Sequence, residues 1–152
     1  MKIVFFGTPD FAVPSLRALI GEGFDVVAVV TQTDKPRGRT RSTMVPPAIK
    51  RVAMEEDLPV LQPSRPSEPE FLDALRTIAP DIGVVVAYGH ILKPELLAIP
   101  PSGFINVHGS LLPQLRGAAP IQHAILQGLE ETGISIMRLE EGLDCGPVLQ
   151  RV

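Results

Sequence analysis

Three side chains that could together move an acyl group lie in the last third of the chain: Asn106, His108 and Asp144. An amide N–H can donate a hydrogen bond to a carbonyl oxygen, and an imidazole can give or take a proton near neutral pH. A carboxylate beside the imidazole would fix its tautomer and orientation. We call these residues the trio, and we predict oxyanion stabilisation and acid–base chemistry where they meet.

The segment that carries Asn106 and His108 has the sequence of a buried strand. The hydrophobic run Gly103-Phe-Ile-Asn-Val leads into His108, and residues two apart on a strand share one face. Ligands of open α/β sheets bind outside the carboxyl ends of the strands, which is where His108 falls. Asp144, between Gly142 and Gly146, would alone be an ordinary turn aspartate. Its occurrence together with Asn106 and His108 makes Asp144 a candidate for the same site.

The rest of the chain alternates between strand and helix patterns. Strands are predicted at 2–7, 24–30, 81–87 and 103–108, with outer strands at 133–139 and 147–152. Helices are predicted at 14–20, 47–56, 67–78, 94–98 and 118–127, and a long polar loop at 31–47. This order predicts an α/β, Rossmann-like fold with a mostly parallel central sheet and helices on both faces. The very hydrophobic strand 81–87 should lie at the sheet centre.

Composition bounds the class of protein. The 152 residues, 45% hydrophobic and 20% charged, suit one folded domain. The single cysteine excludes an internal disulfide framework, and with no signal-peptide pattern or membrane-length apolar run we expect a cytoplasmic protein. Neither a dinucleotide fingerprint nor a Walker sequence is present, and the Cys and His residues do not have zinc-site spacing, so we expect no metal.

A basic segment stands out against the net charge of −3. Arg37, Arg39 and Arg41 lie in the stretch from Lys35 to Arg51, which contains no acidic residue. Such a local patch could contact phosphates, and it could equally be a solvated loop.

The order Asn106-x-His108-x-Ser110-Leu-Leu-Pro113, followed by Asp144, resembles the formyltransferase superfamily, whose members take a one-carbon unit from 10-formyltetrahydrofolate. The likeness runs along nearly the whole chain. Segments similar to the methionyl-tRNA formyltransferase branch are Phe6-Gly-Thr-Pro-Asp-Phe-Ala-Val-Pro14, Thr31-Gln-Thr-Asp-Lys-Pro36, Ala87-Tyr-Gly89, Arg116-Gly-Ala-Ala-Pro-Ile-Gln122, Glu131-Thr-Gly133 and Gly142-Leu-Asp144.

This resemblance implies formyl transfer to the α-amine of methionyl initiator tRNA by a cytoplasmic monomer that needs no metal. It makes the trio catalytic and assigns the tRNA contacts to Arg37, Arg39 and Arg41. The residues it implies for binding the 10-formyltetrahydrofolate co-substrate are Tyr88, Gly89, Ile91, Leu92, Ser110, Leu111, Leu112, Pro113, Leu139, Glu141 and Gly142.

Two departures keep alternatives open. The family loop usually continues as Gly-Arg-Gly with further lysines, whereas Gly38-Arg39 is followed here by Thr40-Arg41-Ser42. The family's carboxy-terminal β-barrel is also absent, so we expect residues 1–152 to be the amino-terminal catalytic domain, truncated in its last strand. Glycinamide ribonucleotide transformylase, which shares the Asn-x-His and Ser-Leu-Leu-Pro elements, an amino-sugar formyltransferase and an isolated folate-binding module remain alternatives.

Overall fold

The computed structural model describes residues 1–37 and 43–152. The strands of this part are β1 (Lys2–Gly7), β2 (Asp25–Val30), β3 (Lys35–Arg37), β4 (Thr43–Val45), β5 (Val60–Leu61), β6 (Ile82–Val86), β7 (Phe104–His108), β8 (Ser135–Arg138) and β9 (Val148–Arg151). The helices are α1 (Val13–Gly21), α2 (Ala48–Glu55), α3 (Pro69–Ile78), α4 (Pro94–Leu97) and α5 (Pro120–Leu126), and a 3₁₀ turn, Asp10–Ala12, precedes α1.

Seven strands form the central sheet in the order β5-β2-β1-β6-β7-β8-β9. Pairing is parallel from β5 through β7, while β8 and β9 are added antiparallel. The predicted fold class is therefore confirmed, and the hydrophobic strand β6 lies fourth of the seven, at the sheet centre. Because the parallel strands point the same way, the carboxyl ends of β6 and β7 open on one edge.

Both faces of the sheet are buried, which explains why the inner strands are continuously hydrophobic. Along β1, Ile3 and Phe5 pack into one core with residues of α1 and α2, whereas Val4 and Phe6 pack into the other with residues of α3 and α4. The alternation follows from the two-residue period of a strand. No helix in the described ranges is long and apolar enough to cross a membrane.

Two strand features depart from the sequence prediction. The strand β5 was missed because it has only two residues, too few for a periodic pattern. The predicted loop 31–47 contains the antiparallel hairpin β3–β4, whose exposed Lys35, Thr43 and Met44 present no buried face that the sequence could reveal. Arg37 ends β3, and Arg39 and Arg41 lie outside the described residues.

Candidate active site

A cavity of about 740 Å³ opens at the carboxyl ends of β6 and β7. Its wall comes from four segments, residues 87–92, 106–109, 117–122 and, apart from Glu141, 139–144, together with Pro9, Phe11, Val85 and Leu97. This volume lies within the range of pockets that enclose small organic ligands. The sequence analysis predicted a ligand crevice at this edge of the sheet, where the parallel strands have their carboxyl ends.

All three members of the trio border this cavity. Asn106 and His108 lie on β7, and Asp144 comes from the loop after β8. Nδ1 of His108 lies 3.6 Å from Oδ2 of Asp144, and the two side chains are only 7% and 12% exposed. The structure therefore brings the three groups together, while their catalytic role remains a prediction.

The other ring nitrogen of His108 has a defined partner. Nε2 lies 2.9 Å from the backbone oxygen of Leu115. Since a carbonyl oxygen can only accept, Nε2 carries a proton and donates it to this bond. Nδ1 is then the nitrogen that faces the Asp144 carboxylate and remains for exchange with a ligand.

Asp144 is held by the same loop that holds His108. The backbone N–H of Gly117 donates to Oδ2 of Asp144 at 2.7 Å. Leu115, Gly117 and Asp144 have φ values of 54°, 91° and 46°, in the left-handed region that costs a non-glycine residue about 1 kcal/mol or more. The segment 115–117 thus positions both the imidazole and the carboxylate through its backbone.

Asn106 pairs through its backbone with Val85 of β6 and Met137 of β8. Its side chain shares the cavity with His108, as their spacing on β7 predicted. A side-chain amide at a cavity wall can donate to a carbonyl oxygen of a ligand.

The residues predicted to bind folate divide into two groups. Those that border the cavity are Tyr88, Gly89, Ile91, Leu92, Leu139 and Gly142. Those that lie outside its wall are Ser110, Leu111, Leu112, Pro113 and Glu141, with Glu140 bordering the cavity in place of Glu141.

The turn from Ser110 to Pro113 is anchored to the sheet instead. Ser110 is 1% exposed, and its hydroxyl donates to the Gln114 carbonyl at 2.6 Å. The Ser135 hydroxyl of β8 donates to the Ser110 carbonyl at 2.7 Å and accepts from the Leu112 N–H at 3.0 Å. These bonds direct the polar groups of the turn toward the protein interior. The turn therefore positions the chain that leads to Leu115 and does not form part of the cavity surface.

Tyr88 borders the cavity, yet most of its side chain belongs to the core. Its ring packs edge-on against Phe6 with centroids 5.3 Å apart. Burial, assisted by the negative charge of Glu68, raises the pKa of Tyr88 to about 12. The hydroxyl finds no hydrogen-bond partner in the described part of the protein, and little of the ring is left for a ligand.

Sequence reasoning missed several residues of the wall, including Phe11, His90 and Gln122. The ring of His90 lies 5.3 Å from that of Tyr88. Its position just beyond the end of central strand β6 could have identified it, because ligand sites gather there. Phe11 and Gln122 come from distant segments, and no local signal points to them.

Electrostatically, the wall carries the two carboxylates of Glu140 and Asp144, and among the described residues no lysine or arginine borders it. The described residues also contain no group of His, Cys, Asp and Glu side chains that could hold a metal ion.

The sequence profile of the formyl transferase family matches residues 1–152. Methionyl-tRNA formyltransferases from Myxococcus xanthus and Ruminiclostridium cellulolyticum are 57% and 52% identical to this chain, over 97% and 98% of its length. The matches cover 47% of each relative, so the chain spans about half the length of these curated relatives.

Solved structures agree on the fold. Phosphoribosylglycinamide formyltransferase from Bacillus halodurans superposes with a TM-score of 0.77 at 23% identity, covering 100% of this chain and 78% of that one. A formyltetrahydrofolate deformylase from Pseudomonas syringae superposes with a TM-score of 0.73 at 21% identity, covering 99% of this chain and 51% of that one. On the profile match over its whole length, and as the motifs predicted, the chain belongs to the formyl transferase family.

Proposed function

We propose that this chain catalyses formyl transfer from 10-formyltetrahydrofolate to the α-amine of methionine on initiator tRNA. The observation that carries the proposal is the convergence of Asn106, His108 and Asp144 on one cavity. The choice of acceptor is supported by the relatives more than 50% identical, which are named methionyl-tRNA formyltransferases.

The reaction needs stabilisation of an oxyanion. The amine nitrogen attacks the formyl carbon and gives a tetrahedral intermediate with negative charge on the formyl oxygen. The bond from that carbon to the folate nitrogen then breaks, and the proton lost by the amine ends on the folate nitrogen. An Asn106 amide N–H aimed at the formyl oxygen stabilises this charge, a contribution that typically supplies ~10²–10³ in rate.

His108 and Asp144 act on the same intermediate. With Nε2–H bonded to Leu115, the protonated ring has Nδ1–H left to share between Asp144 and the formyl oxygen. The Asp144 carboxylate, 3.6 Å away, stabilises the imidazolium charge, accepts the amine proton, directly or through water, and passes it to the departing folate nitrogen. This set of groups completes the transfer without a covalent enzyme intermediate and without assistance from a metal.

The substrates then occupy different parts of the protein. The flat folate ring lies among apolar residues of the cavity, such as Ile91, Leu92 and Leu139. The acceptor end of the tRNA enters from the side of the β3–β4 hairpin, and we assign the neutralisation of its phosphates to Arg37, Arg39 and Arg41.

The test compares His108→Ala with His123→Ala in the full-length protein. His123 is exposed on α5 and does not border the cavity, which makes it the matched control. We expect His108→Ala to slow formylation of Met-tRNA by about 10²-fold or more and His123→Ala to leave it unchanged. Parental activity of His108→Ala would refute the catalytic assignment.

The alternatives are tested on the full-length protein for the choice of acceptor and on residues 1–152 alone for the folate-binding module. Glycinamide ribonucleotide and an amino sugar are offered as acceptors beside Met-tRNA, and folate binding is measured by calorimetry. The proposal predicts turnover with Met-tRNA alone. Preference for a small acceptor would reassign the substrate, and folate binding without turnover would identify a binding module.

A further inference from the structure

A chain of polar contacts links helix α2 to the cavity wall. The ammonium of Lys50 donates to both oxygens of Asp34 at 2.8 and 2.9 Å. The amide nitrogen of Gln62 donates to the same carboxylate and to the backbone oxygen of Gln32, each at 2.8 Å. The side-chain amide of Gln32 donates in turn to the Tyr88 carbonyl at 3.0 Å.

The segment that receives the last bond needs support. Ala87 and Gly89, on either side of Tyr88, have φ values of 48° and 88° in the left-handed region. The Tyr88 carbonyl accepts a second hydrogen bond, from the Thr8 hydroxyl at 2.9 Å. All of residues 87–89 border the cavity, so the position of this backbone sets the shape of the wall.

Gln32 also lies directly against this wall. A Cβ placed on Gly89 would clash with the Gln32 amide nitrogen, so the two residues are in close contact and a side chain at Gly89 would displace the Gln32 amide. The backbone of Gln32 is also held in place, because the side-chain amide of Gln62 donates to its carbonyl oxygen. The backbone of Gln32 is thus held by Gln62, and the side-chain amide of Gln32 binds the turn after β6.

We propose that Gln32 is a positioning residue for the ligand cavity: by donating to the Tyr88 carbonyl, and braced by Gln62 and Asp34, it holds the wall at residues 87–89 in its binding shape. The identity of the ligand as a folate rests on the proposed function. The positioning itself concerns the free protein.

The other contacts in this series, those of Asp34 with Gln62 and Lys50, support the position of Gln32. The Gln62 hydrogen bond and the Lys50 ammonium hold the pKa of Asp34 below its usual range, so the carboxylate is charged and able to accept both donors at neutral pH. Asp34 immediately precedes β3. The same contacts therefore tie the base of the basic hairpin to the cavity wall.

The decisive variant is Gln32→Glu in the full-length protein. Glutamate has nearly the same shape, but its carboxylate can only accept and so cannot donate to the Tyr88 carbonyl. Arg17→Ala is the control, because it removes a surface ion pair with Glu55 on α2 and touches no part of the wall. Gln62→Met, which removes the brace while leaving Gln32 in place, is the second variant in case Gln32→Glu folds poorly.

Two measurements follow. Hydrogen exchange of the amides of residues 87–91 is measured without ligand, and the Kd of 5-formyltetrahydrofolate is measured by calorimetry. The loss of one partly buried hydrogen bond predicts about tenfold faster exchange and about tenfold weaker binding for Gln32→Glu, with a smaller effect in the same direction for Gln62→Met. At saturating co-substrate, kcat should stay within about threefold of the parent, because the trio is untouched.

Parental exchange and parental Kd in both variants would overturn the positioning role. A fall in kcat equal to the loss in binding would also overturn it, because Gln32 would then act on the reaction itself. If the parent protein fails to bind the folate, the proposed function fails, and the exchange measurement still decides whether Gln32 holds the wall.

Discussion

Replacing Asp144 with asparagine removes a charge from the site and leaves its shape. The asparagine oxygen can still accept from the Gly117 N–H, which now donates to Oδ2 of Asp144 at 2.7 Å. The His108 ring keeps its bond to the Leu115 carbonyl. Asp144→Asn therefore removes the charge of the carboxylate and its ability to accept a proton, without changing the shape of the site.

The size of the effect follows from the separation and the burial of the pair. Two opposite charges 3.6 Å apart at an effective dielectric constant of about 20 attract by roughly 4–5 kcal/mol. Because the asparagine dipole retains part of this interaction, we expect a loss of about 2–3 kcal/mol in the transition state. This corresponds to about 10²-fold in kcat.

The assay is single-turnover formylation of Met-tRNA at saturating folate with the full-length protein. Glu140→Gln is the matched control, since Glu140 also places a carboxylate at the cavity wall but is not paired with His108 in the structure. We expect that control to stay within about threefold of the parent. Similar rates for Asp144→Asn and the parent, with both folded, would refute the proposed role of the charge.

Three further predictions concern the glycine that holds Asp144, the buried Tyr88 and the basic segment. Gly117→Ala places an alanine at a backbone φ of 91° with its Cβ 3.3 Å from Leu143, whereas Gly128→Ala places one at a φ of 62° in open space. Chemical denaturation should show that each variant loses about 1 kcal/mol of stability. Only Gly117→Ala should slow formylation, by about tenfold. Equal rates would contradict the bracing role of Gly117. Since the pKa of Tyr88 is raised from 10.0 to about 12, the contribution of Tyr88 to stability should be constant below pH 10 and fall by about 2–3 kcal/mol as the pH rises through 12. Denaturant midpoints of Tyr88→Phe should lack this decline, and the same decline in both proteins would contradict its origin in Tyr88. Changing Arg37, Arg39 and Arg41 to glutamine should raise the KM for tRNA by about tenfold at low salt and weaken the salt dependence of that KM. The KM for folate should stay unchanged. If the salt dependence is unaltered, these residues do not bind tRNA.

The sheet was largely predictable because its strands are buried on both faces. The runs in β1, β2 and β6 are long, hydrophobic and separated by helical patterns, so their parallel order followed from general rules of chain connection. Strand β5 and the β3–β4 hairpin were not predictable, since two residues carry no period and the exposed residues of the hairpin carry no apolar face. Strand β5 forms by pairing with β2 at the edge of the sheet, and β3 and β4 form by pairing with each other.

The site was predictable as far as it depends on strand geometry. Asn106 and His108 had to share a face of β7, and His108 had to lie near the ligand edge. The contacts of Leu115 and Gly117 with the His108–Asp144 pair were hidden because they are made by backbone atoms in left-handed conformations. Burial of the Ser110 turn likewise depends on Ser135, which arrives from β8 much later in the chain.

The central claim is that the trio surrounds the reacting formyl group. The most direct measurement is a crystal structure of the full-length protein with a non-transferable formyl analogue of the folate. We predict the formyl oxygen within about 3 Å of the Asn106 amide nitrogen and beside Nδ1 of His108, with Asp144 next to the formyl carbon. An analogue bound with its formyl group away from all three side chains would contradict the account.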